Sequence, residues 1–470
     1  MLANHIQTLI QQNLGHSPTP GQVELMKELS GYILNPNENK VFIVKGFAGT
    51  GKTTLISALV KALEEMKIKT LLLAPTGRAA KVFSAYAGKT AYTIHRKIYR
   101  QKASNEGFGE FVLNRNPISN LVILVDEASM ISDTVAEDKI FGSGRLLADL
   151  LCYVNDGRDC RLILIGDTAQ LPPVGIALSP ALDRNELSLY MPVAGEAMLT
   201  DIVRQNKESG ILENATLVRN HITTNHLIAP RLKKQFFTDI QFISGQILTE
   251  WLEKAYDKHG IEEVMVLCRS NKRANQYNDG IRKQVLFREE ELTTNDLLMV
   301  VKNNYFWLTG QPDLDFIANG DIVKVIKIRQ YTERYGFRFA QAVLQMVDYN
   351  LDFEAWIMLD TLTVESAALG QEDNYKLYMG VFEDYVHLDT RKKQYKAVKE
   401  DPFFNALQVK FAYAVTCHKA QGGQWKSVFI DQGFVREEKI DLEYLRWLYT
   451  AITRATEELY FINFAEEFIE

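Results

Sequence analysis

Four short apolar runs, each ending in a loop of Gly, Thr, Asp or Pro, constrain this chain more than any other feature. Val41-Phe42-Ile43-Val44 leads into a glycine-rich turn, and Leu71-Leu72-Leu73-Ala74 into Pro75-Thr76. Leu121-Val122-Ile123-Leu124-Val125 leads into Asp126-Glu127, and Leu162-Ile163-Leu164-Ile165 into Gly166-Asp167. Runs that are apolar on both faces suit strands of a parallel sheet covered by helices, where ligands gather beyond the carboxyl ends. The first 200 residues are therefore expected to form an α/β domain with its chemistry at one end of the sheet. A second set (Val264-Met265-Val266-Leu267, Phe411-Ala412-Tyr413-Ala414-Val415, Val428-Phe429-Ile430 and Leu459-Tyr460-Phe461-Ile462) predicts a similar domain. That domain is interrupted over about 290–407. There, period-2 alternation after Asn319-Gly320-Asp321 predicts a small antiparallel β module, and residues 374–407 a helical or irregular stretch.

Composition narrows the class. Among 470 residues, 53 Lys+Arg against 59 Asp+Glu leave a net charge of −6, so any nucleic-acid contact is expected along a confined channel rather than a basic coat. No run approaches the ~18 apolar residues of a membrane span. Met1-Leu2-Ala3-Asn4-His5 lacks a signal-peptide pattern, and the four cysteines form no C-x-x-C pair. A reducing cytoplasm is the expected setting, with no membrane partner.

Gly46-Phe47-Ala48-Gly49-Thr50-Gly51-Lys52-Thr53 fits G-x-x-x-x-G-K-[ST], between a predicted strand and a helical run. Such a loop turns backbone N–H groups and a helix N-terminus toward phosphates. Gly46, Ala48, Gly49, Thr50, Gly51, Lys52, Thr53 and Thr54 are thus the expected contacts to ATP. Lys52 would neutralise the β- and γ-phosphates, and the Thr53 hydroxyl would ligate Mg²⁺. Asp126 is placed to hold that Mg²⁺ and Glu127 to orient or deprotonate water. Gln170 offers an amide for sensing the γ-phosphate. These features specify nucleotide hydrolysis and leave open what it drives.

Read in order, nine motifs spanning residues 19–455 resemble those of superfamily 1 helicases, most closely the RecD-like and Dda-like branch, superfamily 1B. They are Thr19-Pro20-Gly21-Gln22, the P-loop, Ala74-Pro75-Thr76-Gly77-Arg78-Ala79-Ala80, Thr93-Ile94-His95, Asp126-Glu127-Ala128-Ser129-Met130 and Gly166-Asp167-Thr168-Ala169-Gln170-Leu171-Pro172, then Leu199-Thr200-Asp201-Ile202-Val203-Arg204-Gln205, Thr416-Cys417-His418-Lys419-Ala420-Gln421-Gly422 and Tyr449-Thr450-Ala451-Ile452-Thr453-Arg454-Ala455.

The resemblance implies two RecA-like P-loop domains, 1–200 and 201–289 with 408–470. It adds a β-hairpin pin at about 100–120 and an SH3-like insertion over 290–407 that braces it. It also implies that Gln22 reads adenine and that Arg204 and Arg454 act as arginine fingers. Pro75, Thr76, His95, Thr416, His418 and Lys419 would contact single-stranded DNA, and Phe108 or Phe111 would stack on the last base pair of a fork. Gln424-Trp425 departs from the family pattern. The basic run Arg391-Lys392-Lys393-Gln394-Tyr395-Lys396 reads as a solvated helix face. The function implied is a monomeric ATP-dependent DNA helicase moving 5′→3′, alongside other replication or repair proteins. The rivals are an ATPase that clamps or remodels DNA without unwinding, within a repair or recombination complex, and a P-loop metabolic kinase.

Overall fold

The computed structural model describes residues 2–35, 40–101, 111–135, 141–203, 209–235, 237–308, 316–366, 368–435 and 440–470. In chain order the strands of the first half are β1 (Lys40–Gly46), β2 (Thr70–Ala74), β3 (Ala91–Thr93), β4 (Tyr99–Gln101), β5 (Phe111–Leu113), β6 (Val122–Val125), β7 (Arg161–Gly166) and β8 (Val193–Leu199). Six of them form a parallel sheet in the order β3-β2-β6-β7-β1-β8, while β4 and β5 pair as an antiparallel hairpin.

The apolar runs explain why this sheet is buried on both sides. Phe42, Val44, Leu72, Ala74, Leu124, Ile163 and Ile165 pack on one face, with helices Leu2–Leu14, Pro20–Leu34, Lys52–Glu65 and Gly77–Ala87. Val41, Ile43, Leu71, Leu73, Ile123, Leu162 and Leu164 alternate to the other face, with helix Leu146–Asp156. Strand periodicity of two thus supplies two cores from one run of residues. At ~25 cal/mol per Å² of apolar surface, this burial is the main stabilising term of the domain.

The second half adds β9 (Ile240–Ile243), β10 (Val264–Cys268), β11 (Leu297–Val300), β12 (Ile322–Arg334), β13 (Phe337–Met346), β14 (Leu351–Met358), β15 (Leu407–Phe411), β16 (Ala414–Thr416), β17 (Trp425–Asp431) and β18 (Ala455–Ile462). A parallel sheet runs β16-β10-β17-β18-β9, and β11 to β15 close into a barrel. The β12–β13 connection is a two-residue turn through Tyr335 and Gly336, both at positive φ as a tight hairpin requires. Helices Gln371–Asp384 and Arg391–Lys399 follow β14, and Leu377, Val381 and Val398 pack against Phe337, Phe339 and Trp356. Arg391 to Lys393 and Lys396 stay exposed, with Lys393 paired to Asp389 and Lys396 to Glu400.

One expectation needs correcting. The apolar run Phe411 to Val415 is two strands rather than one, so the barrel includes residues 407–411 and the second sheet resumes at Ala414. The Asn278 side chain makes the break: its Oδ1 accepts the N–H groups of Tyr413 at 3.0 Å and Ala414 at 2.8 Å. The chain can therefore leave one sheet and enter the next without losing backbone hydrogen bonds.

Candidate ATP cleft between two parallel-sheet domains

The glycine-rich loop leaves β1 and enters helix Lys52–Glu65. Gly49 and Gly51 sit at φ +75° and +76°, and a Cβ there would meet Leu212 at 2.4 Å and Gln22 Nε2 at 2.5 Å, so both positions require glycine. The loop borders a cavity of about 470 Å³. Ala48, Gly49, Gly51, Lys52, Thr53, Thr54, Asp126, Glu127 and Gln170 line it from the first domain, and Arg454 from the second. Residues far apart in sequence thus converge on one volume.

Gly46, Thr50 and Gln22 shape the loop instead of lining the cavity. A Cβ on Gly46 would collide with the Lys52 stem at 2.9 Å. Thr50 Oγ1 donates to the Phe47 carbonyl at 2.7 Å. Gln22 is fully buried, its Oε1 accepting from the Thr19 N–H at 3.0 Å and its Nε2 donating to the Thr50 carbonyl at 3.1 Å. Thr19 in turn caps helix Pro20–Leu34 in a reciprocal box. The amide ties that helix to the P-loop. Lys52 Nζ donates to the Phe47 carbonyl at 2.8 Å.

Asp126 and Glu127 follow β6. Glu127 adopts a left-handed backbone (φ 51°), a conformation that costs a non-glycine residue of order 1–3 kcal/mol and clusters at functional sites. Burial first, then the Glu127 charge, pushes the Asp126 carboxyl up to about 7, with Lys52 and Arg454 opposing. A hydroxyl and a half-buried carboxylate on the cavity wall are a fitting donor set for a hard dication such as Mg²⁺, which takes one or two protein ligands and completes its shell with water and phosphate. Thr53 and Asp126 would hold it, and it would supply charge neutralisation at the phosphates.

The second domain closes the cleft. Arg454 is 2% exposed and held by the carbonyls of Thr450 and Gly423, both at 3.1 Å, and by Thr453 Oγ1 at 3.2 Å. Its Nη1 lies 3.7 Å from Glu127 Oε1 across the interface. Tyr449 makes a second bridge: its hydroxyl accepts the Ala48 N–H of the P-loop at 2.8 Å and donates to Asp167 Oδ2 at 2.6 Å. Thr450 Oγ1 accepts the Leu171 N–H at 2.9 Å, and Gln421 Nε2 donates to the Leu171 carbonyl at 2.6 Å. Tyr449 and Asp167 lay inside recognised motifs, yet nothing in the sequence singled them out. Arg204 and Phe108 lie outside the described residues.

The expected DNA contacts occupy other surfaces. Pro75, Thr76, His95, Thr416, His418 and Lys419 are half-buried, and none borders the ATP cavity. Thr76 caps helix Gly77–Ala87 and lies close to Gly422 of the second domain. Burial holds His418 and Lys419 below their usual pKa, and drives His95 down to about 4 against the pull of Asp149. His95 is packed edge-on to Phe141 at 4.9 Å. Phe111 is 6% exposed and sits against Phe141 at 4.8 Å and Tyr305 at 4.9 Å, with Phe316 at 6.2 Å. In this conformation Phe111 anchors the base of the hairpin to residues 305 and 316 and presents no face to a base pair.

Comparison with known proteins agrees with this plan. Residues 19–231 match the model of an AAA domain, and residues 411–462 that of a UvrD-like helicase C-terminal domain. The ATP-dependent DNA helicase Dda of phage T4 is 24% identical over 439 residues, covering 89% of this chain and 93% of that protein. Along nearly its whole length the chain is similar to helicases of superfamily 1B. The ATP-dependent RecD2 DNA helicase of Deinococcus radiodurans is 24% identical over 451 residues, and this chain spans about half (48%) of it. An uncharacterised mimivirus protein, R530, is 25% identical over 504 residues and 96% covered. A crystal structure of a Bacteroides Pif1 helicase with ADP-AlF3 and single-stranded DNA aligns over 97% of this chain and 95% of that one, at 17% identity and a TM-score of 0.47.

Proposed function

We propose that this protein is a helicase that hydrolyses ATP to step along single-stranded DNA, 5′→3′, and to open duplex at a fork. The observation that carries the reading is the shared site: Arg454 of one domain reaches Glu127 of the other at 3.7 Å, and Tyr449 bridges the P-loop to Asp167. Lys52 neutralises phosphate charge, Glu127 takes the proton of the attacking water, and Arg454 stabilises charge developing on the γ-phosphate. Because the stabilising groups come from both domains, the chemistry favours the closed pair and product release relaxes it, a hinge that a track of DNA contacts can turn into movement. Pro75, Thr76, His95, Thr416, His418 and Lys419 supply that track across both domains.

The relatives named as DNA helicases support the choice of DNA. Their names also support ATP as the fuel, with Mg²⁺ as its usual companion. Forked duplexes with only a 5′ or only a 3′ tail test activity and polarity together. Unwinding is expected with the 5′ tail. ATPase activity with no unwinding of either fork would favour a clamp or remodeller.

A further inference from the structure

The guanidinium of Arg78 joins three parts of the chain. Arg78 is the second residue of helix Gly77–Ala87 and follows directly on Pro75 and Thr76, two of the residues proposed to touch DNA. Its Nη2 donates to the Gln424 carbonyl at 2.9 Å, and its Cζ lies 4.9 Å from the centre of the Trp425 ring. Its Nη1 stands 3.5 Å from Asp348 Oδ1, on the turn between β13 and β14. The side chains of Arg78 and Asp348 are 15% and 4% exposed. Lys81, on the same helix, is 3.4 Å from that carboxylate oxygen and donates to the Val347 carbonyl at 3.1 Å. Gly77 lets the barrel come this close, since a Cβ there would meet Tyr349 Oη at 2.6 Å and Asp321 Oδ1 at 3.0 Å.

The turn that Arg78 grips is also the one that holds Arg454. Arg454 Nη1 donates to the Gly423 carbonyl at 3.1 Å, and the Trp425 N–H donates to the Arg454 carbonyl at 2.9 Å. Tyr86, further along the helix of Arg78, donates its hydroxyl to Gln424 Oε1 at 3.2 Å. A shift of helix Gly77–Ala87 therefore has a direct route through Arg78 to the backbone around Arg454. The residue type suits the task. A guanidinium is planar and carries its donors in a fixed fork, so it can stack on an indole while its two ends hold different partners. An ammonium is a compact point charge on a flexible stem and lacks that fork.

Resting on the helicase reading above, we propose that Arg78 is a positioning residue that couples DNA at Pro75 and Thr76 to Arg454 in the ATP cleft. Strand binding sets the start of helix Gly77–Ala87, Arg78 sets the Gln424-Trp425 turn, and the turn sets Arg454 against the γ-phosphate. Asp348 steadies the guanidinium and makes the barrel the third arm of the same device. The turn that departs from the family pattern, Gln424-Trp425, thereby gains a partner in the first domain.

The test is steady-state ATP hydrolysis without DNA and at saturating single-stranded oligonucleotide, beside binding of that oligonucleotide by fluorescence anisotropy. Arg78→Gln should leave DNA-free hydrolysis within about twofold and oligonucleotide affinity within about threefold, and cut the stimulation by DNA at least ~10-fold. Arg78→Lys keeps a charge for Asp348 without the fork and should be nearly as defective. Trp425→Leu should lose a similar share, and the double variant Arg78→Gln with Trp425→Leu no more than the worse single one, because both break one link. Equal falls with and without DNA would make Arg78 merely structural and overturn the proposal. So would full stimulation in Arg78→Gln or Arg78→Lys, or losses that multiply in the double variant. Absence of any stimulation in the parent protein would instead refute the helicase reading.

Discussion

Tyr449→Phe isolates the contact between the two domains more cleanly than any other single change. The ring stays, and with the residue 1% exposed its packing is kept; one oxygen is lost. That oxygen makes two hydrogen bonds, from the Ala48 N–H at 2.8 Å and to the Asp167 carboxylate at 2.6 Å. A buried hydrogen bond to a charged group is worth ~1.5–3 kcal/mol and one to a neutral amide ~1 kcal/mol, so the closed arrangement loses about 3 kcal/mol. Because both bonds span the domains, the loss falls on the hydrolysis-competent form. The expected result is a fall in kcat/KM for ATP on the order of 100-fold, with native far-UV circular dichroism. A double-mutant cycle with Asp167→Ala should return a coupling of at least ~1.5 kcal/mol. Additivity within ~0.5 kcal/mol, or a kcat/KM within a few-fold of the parent, would refute the argument.

Three further outcomes follow from the same geometry. Glu127→Gln keeps the strained backbone and removes the base, so ATP binding by equilibrium titration should persist while DNA-stimulated turnover stops; near-normal turnover would reassign the water-activating group. Phe111→Ala removes a buried aromatic at the hairpin base and is expected to cost ~3–5 kcal/mol locally, lowering unwinding much more than ATPase rate; equal losses in both would mean the hairpin serves the ATP cleft. Asp321 is buried beside Asp348, and burial first, then that neighbour, raises its carboxyl to about 7. A carboxyl raised on folding contributes stability in full below its unfolded pKa of ~3.9 and loses it as pH climbs through 7. Asp321→Asn should therefore melt above the parent at pH 8, by as much as ~4 kcal/mol, and the gap should close toward pH 4; a gap independent of pH would contradict the buried-charge account.

The parts legible in the sequence are those whose signal is local. Unbroken apolar runs along Val41 to Val44 and Leu71 to Ala74 announce a sheet buried on both faces, and the loop Gly46 to Thr53 announces its ligand within eight residues. Asp126 and Glu127 gain meaning from the strand before them. Tyr449 is different: its partners lie 401 and 282 residues away, and it sits in a helix where Tyr444 and Trp447 are also buried, so its hydroxyl is indistinguishable from core aromatics until the chain is folded. The same holds for Phe111, whose neighbours Tyr305 and Phe316 arrive from the far side of the second domain's first strands. The break between β15 and β16 was hidden because it depends on the Asn278 side chain, 135 residues earlier. Gln22 shows the converse: its place was legible, but in the fold its amide serves the P-loop carbonyl.

The central claim is that one ATP site is assembled from two domains and answers to a DNA strand lying across both. Steady-state ATP hydrolysis with and without a single-stranded oligonucleotide, for the parent and for Arg454→Ala, measures it directly. The parent should hydrolyse ATP faster with the oligonucleotide, and Arg454→Ala should lose at least ~10³-fold of that rate while still binding ATP. Equal rates with and without DNA in the parent, or an Arg454→Ala variant as fast as the parent, would contradict the account.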